Sequence, residues 1–292
     1  MKPFLIFLAI VAFALPKPAA AALNLADKDA LVRQIQIIQR EIQNMRLLLA
    51  ASMQSKKAIG AGAYMVVDLE SGKIMLQKNA DYRYPIASVA KLMTAVVAKE
   101  NIDGNKQITI TQEMLLTEGR SPAIFPGLTI SAKNLLNASL IQSTNDAAES
   151  LSYFMGKDKF VAAMNQKARQ IGMAHTFFMG ASGLSPSTRS TASDLAKLVA
   201  YINKNYPEIL ATTKNNDFWL PDASGRPLKF KNMNDFYCVG DFVGGKTGYT
   251  PEARQTFASV FKINGKPTAI IVLSSSNYQA DTFKVIEKIT NR

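Results

Sequence analysis

The stretch Tyr84-Pro-Ile-Ala-Ser-Val-Ala-Lys-Leu-Met-Thr-Ala95 combines a helix start with two reactive side chains. Pro85 introduces a run of good helix formers, so we predict a helix from about Ser88 to Glu100. Positions three apart share one helix face, which brings the Lys91 amine within reach of the Ser88 hydroxyl. Free N–H groups in the first helical turn favour a developing negative charge there. The stretch therefore predicts a serine nucleophile whose base is a lysine.

The Ser-x-x-Lys pattern is not specific by itself, because Ser259-Val-Phe-Lys262 matches it as well. That second copy falls in a predicted strand, where residues three apart point to opposite faces. Only the copy at Ser88 and Lys91 therefore has a geometry that suits proton transfer between the two side chains.

A second polar element, Ser143-Thr-Asn145, lies directly before a predicted helix. The Ser143 hydroxyl suits a proton relay and the Asn145 amide suits a substrate amide, while Ser143 is also a good helix N-cap. The triplet is weak evidence alone, since Ser275-Ser-Asn277 has the same pattern.

A third element, Lys246-Thr-Gly248, follows Gly244-Gly245 and occurs once in the chain. A cation, a hydroxyl and a residue without Cβ at a strand edge suit a ligand that lies along the strand and pairs with its backbone. The carboxylate of such a ligand meets Lys246 and Thr247. The alternative interpretation is a turn with a solvated lysine.

The composition excludes several kinds of site. The 292 residues include one histidine, His175, and one cysteine, Cys238, too few for a Cys/His zinc site, a two-histidine metalloprotease helix or an iron–sulfur cluster. We therefore expect no metal and no cofactor. His175 lies outside every motif, and we interpret it as structural. With 48% hydrophobic and 19% charged residues, the chain can bury a full core.

Residues 1–22 have the pattern of a cleavable secretory signal peptide, with a positive start, an apolar run over Phe4–Leu15 and small residues before a cleavage site after residue 21 or 22. The run is too short to span a bilayer; the alternative is an uncleaved anchor. Cleavage removes Lys2 and Lys17, which lowers the net charge from +12 to +10. We expect a periplasmic protein that associates peripherally with the anionic cell envelope and binds no nucleic acid.

Residues 23–62 are interpreted as an amphipathic helix followed by a linker over residues 58–62. Between Asp27 and Lys56, apolar residues recur at alternating spacings of four and three, as at the a and d positions of a coiled coil: Leu31, Ile35, Ile38, Ile42, Met45 and Leu49. Two interpretations stay open. The helix forms a dimer through a short coiled coil over residues 27–56, or it packs on its own domain or acts as a spacer.

Residues 63–292 are predicted to form one domain of the α/β (α+β) class. Strands are expected at both ends, in hairpins around Glu70-Ser-Gly72 and Asn264-Gly265. Helical patterns fill the middle from about Ser88 to Tyr201, and a last helix covers Ala280 to Thr290. The economical architecture is one antiparallel sheet made from both ends and flanked by helices, with an all-helical lobe.

The three elements stand in the order Ser-x-x-Lys, Ser-x-Asn, Lys-Thr-Gly, and their neighbours extend the match. From about Ala63 to Leu273, the chain resembles the D-alanyl-D-alanine carboxypeptidase/endopeptidase family of low-molecular-mass penicillin-binding proteins. The resemblance rests on Tyr84–Ala95, Ser143–Ala148, Gly183-Leu184, Ser190-Thr-Ala192 and Gly245–Thr250. It implies the DD-peptidase/β-lactamase-like fold and a serine peptidase that acts on the stem peptides of peptidoglycan.

The resemblance also implies catalytic roles. Ser88 is the acylated nucleophile, and Lys91 is its base. Ser143 passes a proton to the leaving amine, and Asn145 orients the substrate and Lys91. Lys246 keeps the pair formed by Lys91 and Ser143 electrostatically tuned. We expect Lys91 to be neutral at the working pH, because burial and the neighbouring cation lower its pKa.

Substrate binding is implied for the third element. Thr247 binds the substrate carboxylate beside Gly248, and the backbone N–H groups of Ser88 and Tyr249 form the oxyanion hole. β-Lactams are expected to acylate the same serine. The family usually has glycine where this chain has Arg254. Arg254 either supplies a cation for a substrate carboxylate or points outward from its strand.

Features that the chain is expected to lack indicate its subtype and weigh against a β-lactamase. We expect neither a second β domain nor a C-terminal amphipathic membrane helix, so the chain resembles the compact, penicillin-binding protein 7-like endopeptidases. A class A β-lactamase needs a Glu-x-x-Leu-Asn segment, and none occurs between Asn145 and Lys246. A non-catalytic penicillin-binding sensor or scaffold is the other alternative, although all three motifs are intact. The sequence leaves the choice between endopeptidase and carboxypeptidase open.

Overall fold

The structure, a computed structural model, describes residues 25–54, 58–221 and 227–291. The predicted signal peptide, residues 1–22, lies outside these ranges. The chain divides into two units, with the boundary between Arg46 and Leu47. None of the helices in the described ranges has the length and apolar character that crossing a membrane requires.

Helices and strands alternate in blocks along the chain. The helices are α1 Leu25–Gln54, α2 Lys91–Asn101, α3 Ala132–Ile141, α4 Asn145–Tyr153, α5 Lys157–Gln170, α6 Ala192–Asn205, α7 Pro207–Thr212 and α8 Tyr278–Thr290. The strands are β1 Ala63–Asp68, β2 Ile74–Lys78, β3 Tyr84–Pro85, β4 Gln107–Thr109, β5 Thr129–Ser131, β6 Arg189–Ser190, β7 Asp217–Pro221, β8 Pro227–Lys231, β9 Phe242–Thr250, β10 Arg254–Ile263 and β11 Lys266–Ser275.

Helix α1 carries the predicted a/d stripe. The stripe residues whose side chains the structure describes are all exposed, from 37% at Ile42 to 61% at Met45. The helix itself agrees with the prediction from the sequence. A dimer formed through the stripe remains a prediction.

The second unit is built on a five-stranded antiparallel sheet in the order β2-β1-β11-β10-β9. It joins strands from both ends of the unit, as predicted. Both hairpin turns have the expected chemistry. The Oδ1 atom of Asp68 accepts the backbone N–H groups of Glu70 and Ser71, and Asn264 and Gly265 both have positive φ, at 52° and 80°, as a type I′ turn requires.

Both faces of the sheet are covered because apolar residues fill both sides of the central strands. One face shares a buried cluster with the helical lobe, in which Leu195, Leu198 and Val199 of α6 pack near Ile271 of β11. The opposite face shares an aromatic cluster with α8, made of Phe236, Phe242, Phe257, Phe261 and Tyr278. The predicted layers are therefore confirmed, and β9 is left as an edge strand beside the lobe.

The start of the central helix differs from the prediction. Residues Ala87–Ala90 form a 3₁₀ turn, and the α-helix begins only at Lys91. Ser88 is therefore not in the first α-helical turn. In a 3₁₀ turn, residues three apart lie directly above one another, so Ser88 and Lys91 still share a face.

The segment interpreted as a linker, residues 58–62, is packed. Ile59 and Ala61 are buried, and the Gly60 N–H donates a 2.7 Å hydrogen bond to Oδ1 of Asp281 on α8. The other carboxylate oxygen of Asp281 accepts the Ser275 hydroxyl at 2.6 Å. One buried carboxylate thus ties the entry of β1 to the end of β11 and to α8.

Replacing Asp281 by alanine should therefore destabilise the fold. The change removes two hydrogen bonds and leaves the Gly60 N–H and the Ser275 hydroxyl without their acceptor, which costs about 1–3 kcal/mol of unfolding free energy. Urea unfolding of wild type and Asp281→Ala measures the loss. Asp81→Ala, at an exposed aspartate, is the matched control and should change stability by much less. Equal midpoints for the Asp281 and Asp81 variants would contradict this role.

Candidate active site

The predicted nucleophile lies on a strained turn. Ser88 is half-buried, and Ala87 before it has a positive φ of 47°, a conformation that L-residues adopt only when their surroundings hold them. Gly183 helps to hold it, since a Cβ at that position would lie 2.1 Å from the Ala87 carbonyl oxygen. The tight approach of Gly183 fixes the turn that presents Ser88.

Lys91 is fully buried and reaches three oxygen atoms. Its Nζ lies 2.8 Å from Ser88 Oγ, 2.6 Å from Asn145 Oδ1 and 2.8 Å from the Ser182 carbonyl oxygen. A neutral amine donates to two of these acceptors and points its lone pair at the third. With the Asn145 and Ser182 oxygens as acceptors, the lone pair faces the Ser88 hydroxyl, which is the arrangement that a general base needs.

The electrostatics of the site favour the neutral amine. Burial lowers the pKa of Lys91 well below its ordinary value, and the nearby Lys246 cation lowers it further. The carboxylates of Glu149 and Asp146 act in the opposite direction. Burial has the largest effect, because the ammonium form loses its hydration inside the protein.

Asn145 is held by the loop in front of its helix. Its Nδ2 donates to the Glu118 carbonyl at 2.8 Å, and its backbone N–H donates to the Gly119 carbonyl at 3.2 Å. These bonds fix the amide with Oδ1 towards Lys91. The loop approaches so closely that a Cβ at Gly119 would lie 2.6 Å from Nδ2.

Ser143 does not cap α4, contrary to one interpretation of the sequence. The N-cap position is occupied by Thr144, and Ser143 has a left-handed φ of 64°. The strained backbone turns the Ser143 hydroxyl towards Lys246, whose Nζ donates to Ser143 Oγ at 2.8 Å. The conformation of Ser143 therefore serves the hydrogen bond to Lys246 and does not cap α4.

Lys246 is the second buried lysine of the site, with 2% of its surface exposed. Besides Ser143 Oγ, its Nζ contacts the Thr247 carbonyl oxygen at 2.9 Å. Burial lowers its pKa to about 7. Each buried lysine of this site is thus hydrogen-bonded to one serine hydroxyl.

The edge strand β9 packs directly on the nucleophile turn. A Cβ at Gly248 would lie 2.8 Å from the Ser88 nitrogen and 2.6 Å from Thr256 Oγ1, so only glycine allows this approach. Thr247 is half-buried, and Tyr249 is 68% exposed at the rim. A cleft of about 400 Å³ runs between β9 and the lobe, and its lining includes Ser88, Ser143, Asn145, Thr247, Gly248 and Tyr249.

Arg254 differs from the other predicted site residues. Its side chain is exposed, and it is not among the described residues that line this cleft. Its φ of 55° is left-handed, which explains why glycine suits this position. A substrate-binding role for Arg254 remains a prediction.

One contact of the site has no side-chain signal in the sequence, and neither the second Ser-x-x-Lys pattern nor His175 is among the described residues that line the cleft. The Ser182 carbonyl that binds Lys91 is a backbone group, and its only signal was the glycine of the Gly183-Leu184 motif. The second Ser-x-x-Lys copy is separated, because the Ser259 hydroxyl donates to the Ile270 carbonyl and Lys262 is exposed. His175 is also exposed, and its backbone N–H donates to Asp194.

Known proteins of one family are similar to this chain. The model of the D-alanyl-D-alanine carboxypeptidase family matches residues 50–277. A D-alanyl-D-alanine endopeptidase of Escherichia coli (strain K12) is 33% identical over 240 residues, which are 77% of this chain and 75% of the relative. The D-alanyl-D-alanine carboxypeptidase DacB2 of Mycobacterium tuberculosis is 30% identical over 73% of this chain and 74% of its own length.

Solved structures show the same fold. Penicillin-binding protein D2 from Listeria monocytogenes, in its cefotaxime-bound form, superposes with a TM-score of 0.70 at 30% identity, over 81% of this chain and 98% of that one. A D-alanyl-D-alanine carboxypeptidase from Mycobacterium tuberculosis H37Rv gives a TM-score of 0.73 at 28% identity, over 79% and 91% of the two chains. With two serines lining one cleft and a buried lysine hydrogen-bonded to each, the chain belongs to the D-alanyl-D-alanine carboxypeptidase family of serine peptidases.

Proposed function

We propose that the protein cleaves D-alanyl peptide bonds in peptidoglycan stem peptides through an acyl-enzyme on Ser88. The observation that carries the proposal is the fully buried Lys91 amine 2.8 Å from Ser88 Oγ. A lysine made neutral by burial is a competent base for a serine hydroxyl, which is otherwise a weak nucleophile.

Acylation begins at Ser88. The neutral Lys91 amine takes the hydroxyl proton while Oγ attacks the carbonyl carbon of the penultimate D-alanine. The negative charge that forms on the carbonyl oxygen is stabilised by the backbone N–H groups of Ser88 and Tyr249. The close packing of Gly248 on the nucleophile turn supports this assignment, because it brings the β9 backbone beside Ser88.

The leaving nitrogen needs a proton when the C–N bond breaks. Ser143 donates its hydroxyl proton to that nitrogen and regains one from the Lys246 ammonium at 2.8 Å. Lys246 regains a proton from solvent and Lys91 gives up the proton that it took from Ser88, so the Ser88 proton is in effect moved to the amine and Lys91 is neutral again. In the second half-reaction, water attacks the ester carbon, Lys91 accepts a water proton, and Ser88 Oγ is protonated as the acid leaves.

Substrate binding follows from the edge strand. Thr247 and the Lys246 cation are proposed to hold the carboxylate of the leaving residue, with the peptide paired along β9 near Gly248. Arg254 is proposed to add a second cation at the start of β10. β-Lactams carry a carboxylate and an acylating carbonyl, and we propose that they acylate Ser88. The cefotaxime-bound relative supports this part of the proposal.

The location and assembly of the protein are further parts of the proposal. Residues 1–22 direct it to the periplasm and are removed, residues 23–62 precede the catalytic domain over residues 63–292, and the basic mature chain associates with the anionic envelope. The exposed apolar stripe of α1 supports dimerisation through residues 27–56.

Replacing Ser88 by alanine should abolish labelling by fluorescent penicillin, because no acyl-enzyme can form. Ser259→Ala, in the second Ser-x-x-Lys pattern, is the matched control and should label like wild type. Gel fluorescence after denaturation measures the covalent adduct. Labelling of Ser88→Ala would contradict the assignment of the nucleophile.

The same preparation separates the alternative functions. Wild-type protein should also release product from a D-Ala-D-Ala peptide, whereas a non-catalytic sensor would be labelled without hydrolysing peptide. A β-lactamase would turn penicillin over and leave no stable adduct.

The pH dependence of acylation should be bell-shaped. The rate falls at low pH, because protonation of Lys91 removes the base, and it falls as pH rises through about 7, because Lys246 loses its charge. Lys246→Gln removes the cation at every pH, so the pKa of Lys91 rises. Its acid limb should therefore move to higher pH, and the decline above about pH 7 should disappear.

The second-order rate of acylation by benzylpenicillin, measured from pH 4 to 10, tests this. Lys262→Gln, at an exposed lysine on the neighbouring strand, is the control and should keep the wild-type profile. An unchanged acid limb in Lys246→Gln would show that the two lysines are not coupled.

A further inference from the structure

The cleft continues beyond the residues that the proposed reaction uses. Past Thr247, its lining includes Asp235, Gln255, Tyr278 and Gln279, which we call the distal cluster. These side chains come from the segment before β9, from β10 and from the first turn of α8. Three separate parts of the chain therefore converge on one end of the cleft.

The distal cluster lies on the side of the leaving group. Thr247 and Tyr249 are two residues apart on β9, and Gln255 is paired with Tyr249, so all three share one face of the sheet. The segment that carries Asp235 passes beside the proton relay, since the Met233 N–H donates to the Ile141 carbonyl, two residues before Ser143. The distal cluster thus borders the face of the sheet that carries Thr247.

The cluster is organised by its own hydrogen bonds. Gln279 Nε2 donates to Asp235 Oδ2 at 2.5 Å, and the Tyr278 hydroxyl donates to the same oxygen at 3.3 Å. The Tyr278 backbone N–H donates to Gln255 Oε1 at 2.8 Å, and the Tyr278 ring is buried. These contacts hold the Asp235 carboxylate and the Gln255 amide in defined positions at the cleft wall.

The side-chain atoms of the distal cluster that are still able to form hydrogen bonds are mostly acceptors. Within the described ranges, Asp235 Oδ1 accepts no hydrogen bond, and the carboxylate forms no ion pair with a lysine or arginine. Gln279 also retains its amide oxygen. A half-buried carboxylate with a free oxygen favours N–H donors and disfavours a second carboxylate.

This chemistry discriminates between two leaving groups. Free D-alanine is small, and its only charged group besides the new amine is a carboxylate. Thr247 and Lys246 are already proposed to bind that carboxylate. A leaving residue that is part of a second stem peptide continues past that carboxylate and carries backbone amide N–H groups. The volume beyond Thr247 and the acceptors of Asp235 and Gln279 suit such a continuing peptide.

We propose that the distal cluster is a subsite for the leaving strand of a crosslinked stem-peptide dimer, in which Asp235 Oδ1 accepts a backbone N–H of that strand. The inference rests on the proposed acyl-enzyme function and gives it a substrate class. Asp235 and Gln279 are specificity residues that favour endopeptidase cleavage over removal of a terminal D-alanine.

The test compares two substrates with the same variants. Purified crosslinked muropeptide dimer and monomeric pentapeptide are each incubated with the full chain, and kcat/KM is measured for both by chromatography. In Asp235→Asn, the ratio of dimer to pentapeptide kcat/KM should fall about tenfold, as expected for the loss of a hydrogen bond to a charged acceptor. Gln279→Ala should lower the ratio in the same direction. Asp241→Asn removes an exposed carboxylate from the same segment and should leave the ratio unchanged.

Acylation by fluorescent penicillin is the readout of a folded active site. If a variant labels normally and its substrate ratio equals that of wild type, the subsite assignment is wrong. It is also wrong if wild type labels and cleaves pentapeptide but not dimer, while the proposed acyl-enzyme function stands. If wild type is not labelled at Ser88 and cleaves neither substrate, the proposed function itself fails.

Discussion

The site depends on two lysine side chains that are withdrawn from water and face one serine hydroxyl each. Lys91 and Lys246 are almost completely buried, and an ammonium in such a position is costly unless it is well bonded or loses its proton. The fold does both. It supplies Lys91 with the Asn145 and Ser182 oxygens as acceptors, and it places the two lysines near enough for one charge to disfavour the other. The same burial that makes the site costly makes lysine a usable base in a chain with a single histidine.

Glycines and strained residues bring the surrounding layers close enough to achieve this burial. Gly248 lets β9 touch the nucleophile turn, and Gly183 lets the loop after α5 touch Ala87. Ala87 and Ser143 have left-handed backbones, which cost conformational energy and persist because the surrounding packing holds them. These strained conformations lower the local stability, and they point the hydroxyl groups of Ser88 and Ser143 into one cleft. The cleft then extends past Thr247 to a preorganised carboxylate, which connects the acyl-transfer chemistry to the choice of leaving group.

Turn residues and hydrophobic periodicity in the sequence were enough to predict the sheet and the helical lobe. The turns at Glu70-Ser-Gly72 and Asn264-Gly265 have recognisable chemistry, and the helical periodicity between them is strong, so the sheet and the lobe followed from the sequence. The order of three polar triplets was enough to find the family. What could not be predicted depends on long-range contacts: the Ser182 carbonyl has no side-chain signature, and the packing of residues 58–62 requires Asp281, far away in sequence. The 3₁₀ start before Lys91 and the left-handed Ser143 are likewise imposed by neighbouring layers, because local propensity favours an ordinary helix and an ordinary cap.

We infer that Lys91 is a neutral base at physiological pH. Nuclear magnetic resonance of protein labelled with ¹³C and ¹⁵N at lysine side chains tests it directly, since the Lys91 resonance is the one absent from Lys91→Gln. We expect this resonance to titrate well below the ordinary lysine pKa of about 10.4, and to titrate at higher pH in Lys246→Gln. A Lys91 resonance that titrates near about 10.4 in the folded protein would show that Lys91 is charged at physiological pH and is not the base.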